Sequence, residues 1–140
     1  MKDLVVDASV AIKWFIPEVH AEAASKLLNG QTVLYAPDLI GPELGNILWK
    51  KTRRGEIGTA KAFQILGIFE TIGVEFYPSA VLLPSALDLA VRLDRTVYDC
   101  LYLALALAQN CPLVTADRRF HSAVAASAHA GRIRWVEDEL

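Results

Sequence analysis

The chain has little of what would tie it to a disulfide scaffold, a membrane or a polyanion through bulk charge. Only Cys100 and Cys111 occur in its 140 residues, and they form no C-x-x-C pair. That spacing excludes a disulfide framework and a thiolate zinc site, and both thiols are expected to be reduced residues in or near the core. The longest apolar run, Leu101 to Ala108, falls well short of the roughly 18 residues of a membrane span. With 14 basic and 16 acidic residues the formal charge is -2, so no overall positive field draws the chain onto nucleic acid. A polyanion must be met by a local patch or through bound cations. His20, His121 and His129 show no metal-ligand spacing. Lys2, Asp3 and Asp7 stand where a secretory leader would need an uninterrupted apolar stretch, so a cytoplasmic protein without membrane attachment is expected.

What is present is a dense supply of apolar residues, 54% against 21% charged, set in periodic blocks that exclude a disordered chain. The length suits one domain over residues 1–140. Short β-branched or apolar runs at Leu4–Val6, Val33–Ala36, Val74–Tyr77, Leu113–Thr115 and Ile133–Val136 read as strands. Helical periods fill the intervals at Ser9–Phe15, Glu18–Asn29, Asp38–Thr52, Thr59–Ile72, Ser79–Leu93, Thr96–Asn110 and Arg118–Ala128. Strands alternating with helices predict an α/β fold, a five-stranded parallel sheet between two helical layers. No internal repeat or linker interrupts it.

Four acids stand out: Asp7 in LVVDASV, Glu43 in GPELGNIL, Asp99 in VYDCLYLALA and Asp117 in LVTADRRF. Asp7 and Asp117 fall at or just past strand ends, and Glu43 and Asp99 fall in first turns of helices. In open α/β sheets the carboxyl ends of the strands form the ligand-binding edge, so these side chains are candidates for one shared rim. Each acid taken singly has an ordinary explanation as a helix cap or first-turn acid, and Thr96 with Asp99 loosely fits a capping box. Together they would repel one another unless a cation intervened. Hard oxygen donors suit Mg²⁺ or Mn²⁺, and ions so held support phosphoryl displacement.

At these residues the chain resembles the PIN-domain family, and within it the small toxins of VapBC toxin-antitoxin modules. The motifs VVDASV, PELGNIL, YDCLYLALA and LVTADRRF occur in family order and span nearly the whole chain. The resemblance implies a magnesium-dependent endoribonuclease with a PIN-like three-layer α/β/α fold. It would act on structured cellular RNA, be neutralised by a cognate VapB-like antitoxin, and pair as a homodimer. Family roles fall on Asp7, Glu43, Asp99 and Asp117 as metal-binding and catalytic residues. Ser9 and Thr115 match supporting hydroxyls, and Asn46 lies one turn past Glu43 on the same helix face. Hydrolysis that leaves the 2'-hydroxyl unused would give a 5'-phosphate and a 3'-hydroxyl.

Arg118 and Arg119, directly after Asp117, are candidates for substrate contact. The cluster Lys50, Lys51, Arg53 and Arg54 is better explained as cations favoured at a helix C-terminus. Lys13 reads as the wet face of the first helix, and His121 as a surface residue outside the site. Trp14, Phe15, Ile16, Trp49 and the apolar face of the fourth helix exceed one core stripe. Most of this is expected in the core, with a remainder left as a groove for an antitoxin segment or a second copy. The competing reading is a non-catalytic RNA-binding module of the same fold. A signalling receiver is disfavoured because no lysine follows Leu113–Thr115, and a D-x-D phosphatase because the chain reads Asp7, Ala8, Ser9.

Overall fold

In the computed structural model, which describes residues 1–140, five parallel strands form one sheet in the order β3-β2-β1-β4-β5. They are β1 (Lys2–Val6), β2 (Thr32–Pro37), β3 (Glu75–Tyr77), β4 (Leu113–Thr115) and β5 (Ile133–Trp135). Each was legible as a short run of strand composition; β4 has the expected ends and the others differ by one or two residues. Helices α1 (Ala8–Ala11), α2 (Ala21–Ser25), α3 (Ile40–Arg53), α4 (Thr59–Thr71), α5 (Ser79–Leu93), α6 (Val97–Gln109) and α7 (Arg118–Ala125) fill the connections. The central pair of strands is the driest part of the molecule: Val5, Val6, Leu113 and Val114 are fully buried. Such continuous apolar strands are what a sheet covered on both sides requires. Helix α6 packs against β1, β2 and β4, and its Cys100 to Ala106 segment is buried throughout. Cys100 and Cys111 are both buried free thiols, as expected.

The strand order reverses between β1 and β4, because the chain lays β2 and β3 on one side of β1 and returns to lay β4 and β5 on the other. Asp7 follows β1 and Asp117 follows β4, so both stand at the point where loops diverge and leave a crevice.

The predicted helix over Glu18–Asn29 is corrected to a single turn and a half, Ala21–Ser25. His20 enters it in the left-handed conformation, at φ 67°. At its other end the indole of Trp14 donates to the Ala24 carbonyl at 3.0 Å, the acceptor that Leu28 would need to continue an α-helix. Leu27 and Leu28 turn instead onto Ala24 and Ser25 through tighter bonds. The first helix likewise tightens after Ala11 into a 3-10 turn over Ile12–Trp14. Helix α7 stops at Ala125 rather than Ala128, where Ser127 folds its hydroxyl back onto the Val124 carbonyl at 2.7 Å. No helix is long and apolar enough to cross a membrane.

Candidate active site at the carboxyl edge of the sheet

Asp7 caps α1, accepting from the Val10 backbone N–H at 3.2 Å. Its two oxygens also take the hydroxyls of Ser9 and Thr115, each at 2.5 Å. Both hydroxyls accept in turn from the loop after β4, Ser9 from the Ala116 N–H at 2.9 Å and Thr115 from the Asp117 N–H at 3.0 Å. These bonds stitch the end of β1 to the end of β4 and fix the separation of Asp7 and Asp117. Thr115 is fully buried and Asp7 nearly so. Burial pushes the Asp7 carboxyl up to about 6, against the lowering effect of the two hydroxyls, and the charge of Asp99 adds to the rise.

Asp117 caps α7, its Oδ1 accepting from the N–H groups of Arg119 and Phe120 at 3.0 and 3.2 Å. Glu43 is placed by α3, whose start is clamped to α5. Asp38 accepts from the Ser79 N–H at 3.0 Å, and Ser79 accepts from the Leu39 N–H at 3.2 Å. The buried phenol of Tyr102, on α6, donates to Glu43 Oε1 at 2.5 Å. The Glu43 carboxyl is held above its ordinary value by burial, which outweighs the Tyr102 bond, and by Asp99.

Asp99 is the hub of the cluster. Its backbone N–H bonds the Thr96 hydroxyl at 3.1 Å, so the capping half of the expected box forms. Its carboxylate turns elsewhere, to Arg95 Nη2 at 2.7 Å. The same Nη2 stands 4.0 Å from Asp117 Oδ2. Burial lifts the Asp99 carboxyl, Arg95 pulls it down, and Asp117 lifts it again. The charge of Asp99 reaches Asp7 and Glu43 alike, so the four acids share one electrostatic neighbourhood. Each is also tethered by protein donors, and no three of them stand in a single coordination sphere.

Arg95 and Tyr102 went unseen in the sequence. The only available signals were the i,i+4 spacing of Arg95 to Asp99 and a phenol on an otherwise apolar helix face. Asn46 is exposed on α3, and Arg119 is exposed with its backbone N–H bonded to Asp117. Arg118 lies with its guanidinium carbon 3.6 Å over the Trp135 ring. Of the cations at the end of α3, Lys51 pairs with Glu18 and Glu56 at 3.2 and 3.3 Å, and Arg53 lies over Trp49. Lys13 pairs with Glu18 at 3.0 Å. Trp14 and Phe15 pack on Phe69, whereas Trp49 and Phe63 are exposed and flank a cavity of about 250 Å³ between α3 and α4.

With the acids gathered at the switch point of a 3-2-1-4-5 parallel sheet, the comparison with known proteins is decisive: the PIN domain model matches residues 4–126. The chain belongs to the PIN-domain family. It is 36% identical over 120 residues to Ribonuclease VapC3 of Pyrobaculum aerophilum, covering 83% of this chain and 90% of that one. It is 32% identical over 116 residues to Ribonuclease VapC9 of Mycobacterium tuberculosis, covering 83% and 87%. Among solved structures, PAE2754 from Pyrobaculum aerophilum superposes with a TM-score of 0.71 at 26% identity, covering 97% of this chain and 90% of that one. Mycobacterium tuberculosis VapC20, described as a toxin that cleaves the sarcin-ricin loop, shares the fold with a TM-score of 0.67 at 18% identity, covering 90% and 97%.

Proposed function

We infer that the chain is a VapC-type endoribonuclease, the toxin of a type II toxin-antitoxin pair, with Asp7, Glu43, Asp99 and Asp117 as its catalytic centre. The observation that carries the assignment of residues is the central place of Asp99, which shares the Arg95 guanidinium with Asp117 at 2.7 and 4.0 Å and whose charge raises both Asp7 and Glu43. Clustered, partly desolvated carboxylates mark a site built for cationic charge.

The donor set is hard oxygen throughout, which suits Mg²⁺, with Mn²⁺ as a substitute. Asp7, Asp99 and Asp117 would hold the metal after drawing together from their separate tethers, and the metal would supply charge neutralisation and Lewis acidity at the phosphoryl group. Asp99 must leave Arg95 to serve as a ligand. Ser9 and Thr115 hold the Asp7 carboxylate in place and keep its lone pairs directed. Glu43, fixed by the Tyr102 phenol, orients a water and takes its proton as the oxygen attacks phosphorus in line with the leaving 3'-oxygen. The 3'-oxygen leaves with the P–O bonding pair and takes a proton from solvent water, so the products carry a 5'-phosphate and a 3'-hydroxyl.

The partners follow the same reading: cellular RNA as substrate, and a VapB-like antitoxin whose apolar segment lies in the groove flanked by Trp49 and Phe63. Self-association as a homodimer uses the exposed apolar face of α5, where Leu83, Leu87 and Val91 stand out to solvent. The protein works in the cytoplasm, where its RNA is.

The test is cleavage of a small-RNA pool by antitoxin-free protein with Mg²⁺ or with chelator, beside the Asp7→Asn variant. Metal-dependent fragments lost in the variant support the reading. RNA bound but never cut by folded protein in any divalent metal favours the non-catalytic binding module.

A further inference from the structure

The edge strand β5 ends beside the catalytic rim in an aromatic and cationic cluster that the catalytic acids do not use. Trp135 pairs in register with Thr115, the residue whose hydroxyl grips Asp7. Residues paired across parallel strands face the same side of the sheet, so the indole stands one strand outward from the acids. Three side chains converge on it. The Arg118 guanidinium lies over the ring at 3.6 Å, and the imidazoles of His20 and His121 meet it nearly perpendicular, with ring centres 5.3 and 5.9 Å away. Glu137 touches this cluster only through His20, at 3.3 Å.

Near the rim Arg95 pairs with Asp99, and Lys13 and Lys51 with Glu18, whereas Arg119 is exposed and in no ion pair. Arg118 forms no ion pair and is exposed. Its charge is uncompensated, and unlike Arg119 it lies over the Trp135 ring. A planar guanidinium backed by an indole offers a nucleobase a stacking face while its N–H edges remain open to a phosphate. Such platforms grip unpaired bases, because a base inside a duplex has no free face to offer.

We propose that Arg118, Trp135 and His121 form a binding site for one unpaired nucleotide of RNA, flanking the scissile phosphate on the β5 side. The site takes the base by stacking and its phosphate through Arg118. It deepens the ribonuclease reading and rests on it for the position of the scissile bond. Its consequence is local: the nucleotide next to the cut must be splayed out to reach the platform.

The experiment measures binding by fluorescence anisotropy, in chelator so that nothing is cut, with antitoxin-free full-length protein. The probes are labelled single-stranded RNAs of about ten nucleotides, a span within reach of one small domain, and blunt duplexes of the same length. Trp135→Leu is expected to weaken single-strand binding about tenfold, as loss of one base stack does, and to weaken duplex binding far less, since Arg118 keeps its charge. Trp135→Phe should stay within about threefold of the parent because a stacking ring remains. Arg118→Ala should weaken both probes, since it removes a phosphate contact. Near-UV circular dichroism checks that each variant is folded.

Equal binding by Trp135→Leu overturns the proposal. So does equal loss on both probes, which would make Trp135 a mere prop for Arg118, and so does a parent protein that binds no single strand. Loss of a co-purifying protein partner with RNA binding intact would mark the patch as a protein-docking surface and also overturn it. Cleavage with Mg²⁺ is read separately. Protein that binds as expected yet never cuts keeps the nucleotide site and loses the nuclease reading. Cutting with an unaltered KM in Trp135→Leu does the reverse.

Discussion

The guanidinium of Arg95 stands 2.7 Å from Asp99 and 4.0 Å from Asp117, an internal cation between two of the acids assigned to the metal. Its Nε is buried without a hydrogen-bond partner, and the arginine is held there by carboxylate charge and a cation–π contact with Phe120 at 5.9 Å. A divalent ion must displace it from Asp99. Arg95→Met is therefore expected to tighten Mn²⁺ binding by about tenfold in titration calorimetry, because a competing charge-assisted bond is gone. Unchanged or weaker binding would show that Arg95 does not compete.

The raised Asp7 carboxyl makes a prediction about stability. Its value climbs from 3.8 to about 6 on folding, so between those pH values the native state holds a proton that the unfolded chain has lost. Stability contributed by the neutral form is complete below pH 4 and falls away as pH rises to 6, by on the order of 2–3 kcal/mol. Glu43 and Asp99 are raised in the same direction. In chelator, Asp7→Asn should match the parent in urea unfolding below pH 4 and exceed it at pH 7.5. A parent that gains stability across this window relative to the variant would contradict the burial argument.

Thr115 serves two bonds at once, donating to Asp7 and accepting from the Asp117 N–H. Thr115→Val keeps its shape and leaves both partners short. A loss of about 1–3 kcal/mol in unfolding free energy is expected, together with slower cleavage. Thr115→Ser should restore most of both, since the hydroxyl returns. Comparing the two variants separates the hydroxyl from the methyl.

Tyr102→Phe removes the donor that fixes Glu43. The prediction is a fall in kcat of about tenfold with KM little changed, as for a group that orients a general base. A change confined to KM would instead place Tyr102 in substrate binding.

The fold was legible because its signals are local. Each strand is an apolar run bounded by a turn or a carboxylate, and α5 has the very ends, Ser79 and Leu93, that its period gives. The overlong second helix misled because its ending depends on Trp14, ten residues earlier, taking the Ala24 carbonyl. The same division runs through the candidate site. Asp7, Glu43, Asp99 and Asp117 announce themselves by position at strand and helix ends. Tyr102 reaches Glu43 across 59 residues, and Trp135 acquires meaning only when Arg118 lies on it, so no pattern along the chain reveals either. Asn46 stands one turn from Glu43 on α3, as helical spacing gives, and is exposed there.

The most direct test of the central claim is end-mapped cleavage of total small RNA by antitoxin-free protein, with Mg²⁺ or chelator, for the parent and for Asp7→Asn. The account predicts discrete Mg²⁺-dependent fragments with 5'-phosphate ends from the parent and none from a folded Asp7→Asn. Fragments that persist in chelator, or that the variant makes as fast as the parent, would contradict it.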